Sequence, residues 1–595
     1  MPDELLATAR AALGRGDVLM AYDAAVSAMV AEPESLESAF LAALALARAG
    51  ASERARASAT ELLVRMDSAG DVPIKLREDA AALTARLAKQ DALATNGDER
   101  PARLRGAADL YEEIADRYGR SYTRINAATL RLLAGDLEKA RQLAEQVCQL
   151  VAQARRSDPD DYWLDATEAE AALILGDVET ARRALTRAVA AAGDGLATLA
   201  VTRRQLRLVC EATSTDLEVL DELRPPIVLH YCGHRIDPSS APARFPADLE
   251  AHVDREIRTF LAQHRVGSAF GSLASGADIL IAEALLDQGV PLRVVLPFDT
   301  AEFERTSVDP AGPRWLDRFR ACLGRAESVV HASDSSFMGD DELYGYAGRI
   351  AMGHALNQAA YLDAPAEQLA VWDQAEGAPM AGTAHDVAVW KASGHHTHVI
   401  ALHPPALPPQ KAGSPSATRQ IGAILFTDLH GFSRLRDEQF PAFVDQVLGP
   451  MGAVLDGHGE AVLWRNSWGD AIAAVFSDVI QAADCALGLH ETLSRIDLEA
   501  IGLPKDLELR IGAHAGPVMA IGDPVTHKPT YWGRELTRAA RIEPRTPEGE
   551  VYVTDAFAAL LSLEHLEPFA TEYVGRVTTA KEFETIPMYQ LRRRS

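Results

Sequence analysis

Cysteine is scarce and scattered: the chain has five, Cys148, Cys210, Cys232, Cys322 and Cys485, and no CxxC pair. That excludes a zinc or disulfide framework and leaves small hydrophobes of a reducing compartment. Long apolar runs are missing too. No stretch approaches about 18 uninterrupted apolar residues, so neither a membrane span nor a signal peptide is expected. The opening "MPDELLATARAALGRGD" reads instead as an acidic-basic amphipathic helix, and a cytosolic location is the expectation. Positive charge is in deficit, with a formal net charge of −26. A polyanion would be repelled on approach, which argues against a general nucleic-acid or anionic-membrane binder. A nucleotide is not excluded, because it needs only a local cationic pocket.

What is present is ordinary for globular protein: 48% hydrophobic and 24% charged residues. At 595 residues the chain is too long for one hydrophobic core, and roughly three or four domains are expected. Residues 1–224 are rich in alanine, leucine, arginine and glutamate, and one phrase recurs: "GDVLMA" from Gly16, "GASERA" from Gly50, "GDLEKA" from Gly135 and "GDVETA" from Gly176. In each, the glycine ends one helix and the alanine five residues on lets the next helix approach closely. The 34-residue step from Gly16 to Gly50 has the tetratricopeptide period, although Gly135 to Gly176 is longer. This part resembles a degenerate tetratricopeptide solenoid, with an all-α bundle as the alternative; either way it implies contact with a protein partner or neighbouring domains.

Residues 225–403 change character. Short apolar runs ("PIVLHYCGH", "PLRVVLPF", "ESVVHAS", "QLAVWD", "THVIAL") alternate with helical segments, the pattern of a doubly wound parallel sheet. "GSLASGAD" lies between a strand and a helix, and Gly271, Ser272, Ser275 and Gly276 are candidate ligand-loop residues whose small size lets backbone N–H groups approach a phosphate. The stretch resembles Rossmann-like nucleotide-sensing domains, which implies a nucleotide or nucleotide-derived signal. Asp278 and Glu283 are acids near that candidate pocket; Glu283 reads as a solvated helix face. The run "GHHTHVIALH" offers His395, His396, His398 and His403, yet no cysteine or acid stands at ligand spacing, so it reads as a loop entering a last strand. Residues 404–418, "PPALPPQKAGSPSAT", have linker composition.

Residues 419–595 read as α+β with hairpins. "IGAILFTDL" is a strand with a lone acid, Asp428, where it leaves the core; "EAVLWRNSWGDAIAAVF" is a hairpin with a second, Asp470, at its turn. Two carboxylates sharing a site repel unless a cation lies between them. Oxygen ligands without His or Cys suit Mg²⁺ or Mn²⁺, which also take phosphate oxygens. The spacing does not prove that the two acids meet.

"FTDLHGFS", "WGDAIAAVF", "RIGAHAGPV" and "YWGRELTRAARIE" occur in the order and spacing of class III nucleotidyl cyclase catalytic domains, and the segment resembles that family. The resemblance implies a ferredoxin-like α+β fold, a pair of Mg²⁺ or Mn²⁺ ions and a nucleoside triphosphate substrate. Asp428 and Asp470 match the metal aspartates, with Leu429 among the metal residues. His430, Gly431, Phe432 and Ser433 match the loop around the triphosphate, and Lys581 is a candidate triphosphate cation. Arg541 matches the arginine that stabilises charge as the α-phosphate is attacked. Two positions depart from the pattern. Asn466 stands where adenylyl cyclases carry a base-recognising lysine, with Thr530 as its partner, and Thr537 replaces the asparagine that orients the ribose. An Asn amide and a Thr hydroxyl both donate and accept, so adenine fits but no single base is dictated. The family also implies a head-to-tail homodimer. The expected activity is conversion of ATP to cyclic AMP and pyrophosphate, gated by the upstream domains. Two alternatives stay open: a pyrimidine or GTP cyclase, as in anti-phage signalling, and an inactive nucleotide-binding module.

Overall fold

The computed structural model describes residues 2–157, 161–193, 195–236, 244–339, 341–375, 380–403, 419–564, 567–582 and 584–594; the linker 404–418 lies outside them. The chain forms two compact units, one of Met1–Pro225 with Ala360–Ala364, the other of Pro226–Ala359 with Pro365–Ser595.

The first unit is all-helical, an array of antiparallel helices from Pro2–Arg15 to Leu196–Thr213. The recurring phrase explains its packing. Gly16, Gly50, Gly135 and Gly176 all adopt left-handed φ between +84° and +88°, which turns the chain out of one helix. The alanines that follow, Ala21, Ala55, Ala140 and Ala181, are fully buried, so neighbouring helices close on a methyl group instead of a larger side chain.

The second unit carries two sheets. The first is six-stranded and parallel: β1 (Ile227–Gly233), β2 (Val266–Gly271), β3 (Leu292–Leu296), β4 (Ser328–His331), β5 (Ala366–Trp372) and β6 (His396–Ala401), in the order β4-β3-β2-β1-β5-β6. The order reverses between β1 and β5, and a crevice opens at the carboxyl ends of the strands at such a point. Buried Leu229, Tyr231, Leu292, Val294 and Leu369 join the helix Ala277–Asp287 in its core.

The second sheet is eight-stranded and mixed: β7 (Arg419–His430), β8 (Val462–Trp468), β9 (Ala471–Phe476), β10 (Glu508–Gly522), β11 (Pro529–Trp532), β12 (Val551–Thr554), β13 (Phe569–Thr578) and β14 (Thr585–Arg593). Its order is β13-β14-β12-β10-β7-β9-β8, with β11 paired to β10. β7 is central: antiparallel to β10 from Arg419↔Met519 to His430↔Glu508, and to β9 on its other edge. Among the described residues, no helix is long and apolar enough to cross a membrane.

Candidate active site

β7 leaves the sheet through Asp428, half-buried between buried Thr427 and Leu429, and Gly431 then turns the chain with φ +89°. The β8–β9 hairpin closes through a two-residue turn, Gly469-Asp470. Register brings the two acids together: Thr427 pairs with Ile472, whose N–H donates to the Thr427 hydroxyl at 3.1 Å. The Asp470 carboxylate in turn accepts the backbone N–H of Leu429, and burial together with the charge of Asp428 raises its pKa. The turn also rests on the β7 loop, because a Cβ on Gly469 would lie 3.6 Å from the Phe432 ring.

Two further residues complete the cluster, and the sequence reading had missed both. Arg510 stands opposite Asp428 in the β7–β10 register and donates to its Oδ2 at 2.6 Å. The same guanidinium is 2.5 Å from the Glu543 carboxylate, at the end of the helix Arg534–Ile542. Burial, with repulsion from Asp428 and Asp470 acting against the attraction of Arg510, pushes Glu543 up to about 7. Arg510 thus contacts two carboxylates and bears by charge on a third, Asp470. The hard oxygens of the Asp428 and Asp470 pair, whose charges repel, fit a divalent cation of the Mg²⁺ or Mn²⁺ type.

The loop after Asp428 is pinned at both ends. His430 pairs with Glu548 at 2.7 Å, and the Phe432 ring packs 5.0 Å from Phe443. Ser433 is exposed. Asn466 is exposed on β8, in register with Ala473 and hence on the hairpin that carries Asp470. On the helix Arg534–Ile542, Thr537 is exposed and Arg541 half-buried, while Glu535, Ala539 and Ile542 face inward.

Thr530 and Lys581 are not brought to the acids. Thr530 pairs with Ile521, eleven residues along β10 from Arg510, which is about 36 Å of extended strand. Lys581 is exposed on the β13–β14 hairpin, at the opposite edge of the sheet from β8 and β9.

A second cavity, of about 480 Å³, opens at the carboxyl ends of the parallel strands. Gly271 and Ser272 line it; Ser275 and Gly276 serve packing instead. Ser275 donates its N–H to Ser307 O at 3.0 Å, Ala277 to His234 O at 3.1 Å, and Ala274 to the Asp278 carboxylate at 3.2 Å. Of the four candidate loop residues, Ser275 thus has its amide bonded within the protein, as have its neighbours Ala274 and Ala277. Burial pushes Asp278 and Asp386 up to about 7 each, and each keeps a buried Oδ1 with no partner among the described residues. Glu283 is not a solvated helix face: Arg318 holds it through two bonds of 2.8 and 2.5 Å. The histidine run was set aside for want of an acid, and strand pairing supplies one. Glu367 on β5 lies 2.5 Å from His398 on β6, and His264 joins them.

Residues 416–592 match the family model of the adenylate and guanylate cyclase catalytic domain, and residues 19–131 that of the Tetratricopeptide Repeats-Sensor. No curated protein matches the chain. Among solved structures, the adenylyl cyclase CyaB from P. aeruginosa is 20% identical, over 30% of this chain and 98% of its own, with a TM-score of 0.28. The guanylate cyclase domain of RhGC from Catenaria anguillulae, solved with GTP, is 19% identical over 30% and 100%, with a TM-score of 0.26. An adenylate cyclase from Trypanosoma brucei, in its monomeric state, is 21% identical over 29% and 87%, with a TM-score of 0.26.

Proposed function

We propose that this chain, whose residues 416–592 belong to the adenylate and guanylate cyclase catalytic family, converts ATP to 3′,5′-cyclic AMP and pyrophosphate. The reading is carried by one observation: Asp428 and Asp470 share a site in which Arg510 neutralises only part of the carboxylate charge.

Asp428 and Asp470, with the Leu429 carbonyl, would hold Mg²⁺ or Mn²⁺. A metal held there would lower the pKa of the ribose 3′-hydroxyl and offset charge at the triphosphate. The backbone of His430 to Ser433 wraps the triphosphate, and Arg510 keeps Asp428 oriented. The 3′-oxygen forms its bond to the α-phosphorus as the bond to the β-phosphate oxygen breaks, pyrophosphate leaves, and the hydroxyl proton passes to solvent. Arg541 stabilises the negative charge on the α-phosphate, a role worth several kcal/mol in a water-poor site. Thr537 orients the ribose, Asn466 and Thr530 read the base, and Lys581, remote from the acids of its own chain, reaches the triphosphate from a second copy.

Thr530 lies a strand's length from Asp428 in its own chain, which supports a head-to-tail homodimer where one copy supplies the acids and the other the base contacts. Regulation by the helical unit and the parallel-sheet region belongs to the same proposal. So does a cytosolic setting, consistent with five free cysteines.

Incubating the purified chain with each of the four NTPs and Mn²⁺ tests the reading. Cyclic AMP and pyrophosphate are expected from ATP, with Asp428→Ala lowering turnover at least about a hundredfold. Turnover of UTP, CTP or GTP instead would transfer the assignment to that base, which the amide of Asn466 accommodates. Nucleotide binding without pyrophosphate release would mark an inactive module and overturn the reading.

A further inference from the structure

The helical unit encloses a cavity of about 270 Å³ whose wall carries four basic side chains. Arg48 closes the helix Leu36–Ala49, Arg86 and Lys89 lie one turn apart on Ile74–Ala94, and Arg204 comes from Leu196–Thr213. In a chain of net charge −26 this is a concentrated region of opposite sign.

These cations are only partly neutralised from within: Asp363 attracts Arg204 and Glu170 attracts Lys89. One acid, Glu170, lines the cavity, and Thr129 and Gln205 bond its Oε1 at 2.5 Å each. Lys89 donates to the neutral oxygens of Asn126 and Gln205, at 2.8 and 2.5 Å. Arg48 donates to the Leu13 carbonyl at 3.0 Å, but its Nε is buried with no partner among the described residues, as is Oε1 of Gln90 on the same wall. Arg86 makes no hydrogen bond or ion pair with any described residue. It is also central, because its charge bears on Arg48, Lys89 and Arg204 alike. Burial, then the neighbouring Arg86, brings Arg48 down to about 10; burial likewise lowers Lys89 to about 8, partly offset by Glu170. Like charges gathered out of water are costly unless a counter-charge is supplied. Among the described residues, no second carboxylate lines the cavity to supply it.

We propose that this cavity binds a small phosphorylated molecule of at least two negative charges. Guanidinium and ammonium groups are pure donors, and the guanidinium fork matches the oxygens of a phosphate. The cavity volume lies near the lower end of small-molecule sites, so a metabolite-sized ester fits and a polynucleotide does not. Tyr111 and Tyr122 on the same wall give such a ligand flat apolar surface beside the charges. The site is independent of the acid cluster at Asp428.

Isothermal titration and thermal melting of the full chain with inorganic pyrophosphate, in EDTA so that metal-dependent binding at the acid cluster is suppressed, test the proposal. Saturable binding is expected, weakened at least about tenfold by Arg86→Gln or Lys89→Met. Arg541→Ala is expected to bind as the parent does. Because Arg86 is repelled and unpaired, Arg86→Gln is expected to leave the ligand-free melting temperature unchanged or raised. Four results each overturn the proposal: no saturable binding by the parent; undiminished binding by Arg86→Gln; binding lost in Arg541→Ala but kept in Arg86→Gln; or unfolding of both cavity variants, which assigns the cations to structure.

Discussion

Arg510 is the residue on which the acid cluster balances. It bonds Asp428 at 2.6 Å and pairs with Glu543 at 2.5 Å, so its loss leaves two partly buried carboxylates facing Asp470 unrelieved. Arg510→Met is therefore expected to destabilise the metal-free protein by about 2–4 kcal/mol. A divalent cation then has more repulsion to relieve, and the gain in melting temperature on adding Mn²⁺ should be larger in the variant than in the parent. Thermal melts of both, with EDTA and with Mn²⁺, check this; an equal gain would separate the cluster from metal binding. Asp428 and Asp470 were legible in the sequence because each is the single acid at the end of an apolar run, one before a glycine and one after it. Arg510 and Glu543 were not. Their place depends on the β7–β10 register across 82 positions of sequence and on where the helix Arg534–Ile542 stops, and neither is written in local spacing.

Between residue and molecule, one helix shows how two roles share a short element. Arg534–Ile542 turns Thr537 outward, while Glu535 on its other face is buried and accepts from Ser333, His514 and Arg538 at 2.9, 2.9 and 2.6 Å. Ser333 follows the parallel sheet, so the helix is fixed against both sheets of the second unit. A second joint is the helix Glu342–Leu362, where a Cβ on Gly353 would lie 2.1 Å from the carbonyl oxygen of Ala559. Gly353→Ala should destabilise the protein by about 1–3 kcal/mol in denaturant melts, since backbone must move to admit the methyl. The parallel-sheet cavity makes a prediction in pH. Asp278 and Asp386 are pushed from 3.8 to about 7 by burial, so the native state holds protons that the unfolded chain has released. Their contribution is full below the ordinary carboxylate range and is lost as pH rises through about 7. The melting temperature should fall from about pH 6 to about pH 8, and the fall should flatten in Asp278→Asn. The alternation of strand and helix made this sheet legible. The acid pair was not, because Asp278 and Asp386 belong to different crossover helices that meet only in three dimensions.

For the whole molecule, the sequence divided most clearly where composition changes: alanine-rich helices first, alternating strands and helices next, hairpins last. The glycine-alanine phrase even forecast helix packing, with Ala21, Ala55, Ala140 and Ala181 fully buried. What composition cannot express is assembly. The base-reading candidate Thr530 and the acid Asp428 are separated in one chain by most of the length of β10, and the proposed function therefore draws each site from two copies arranged head to tail. That arrangement makes complementation the decisive measurement. Asp428→Ala spoils the acid half of a site and Arg541→Ala the other half, and each variant alone should be inactive. Mixed in equal amounts, they form heterodimers in which one of the two sites inherits both intact halves. Random pairing then predicts recovery of about a quarter of the parent's activity, with subunit exchange setting the rate at which it appears. Recovery at that level would tie catalysis to a shared interface. If activity stays absent after exchange is demonstrated by mixed-tag pull-down, both halves act within one chain and the head-to-tail dimer falls.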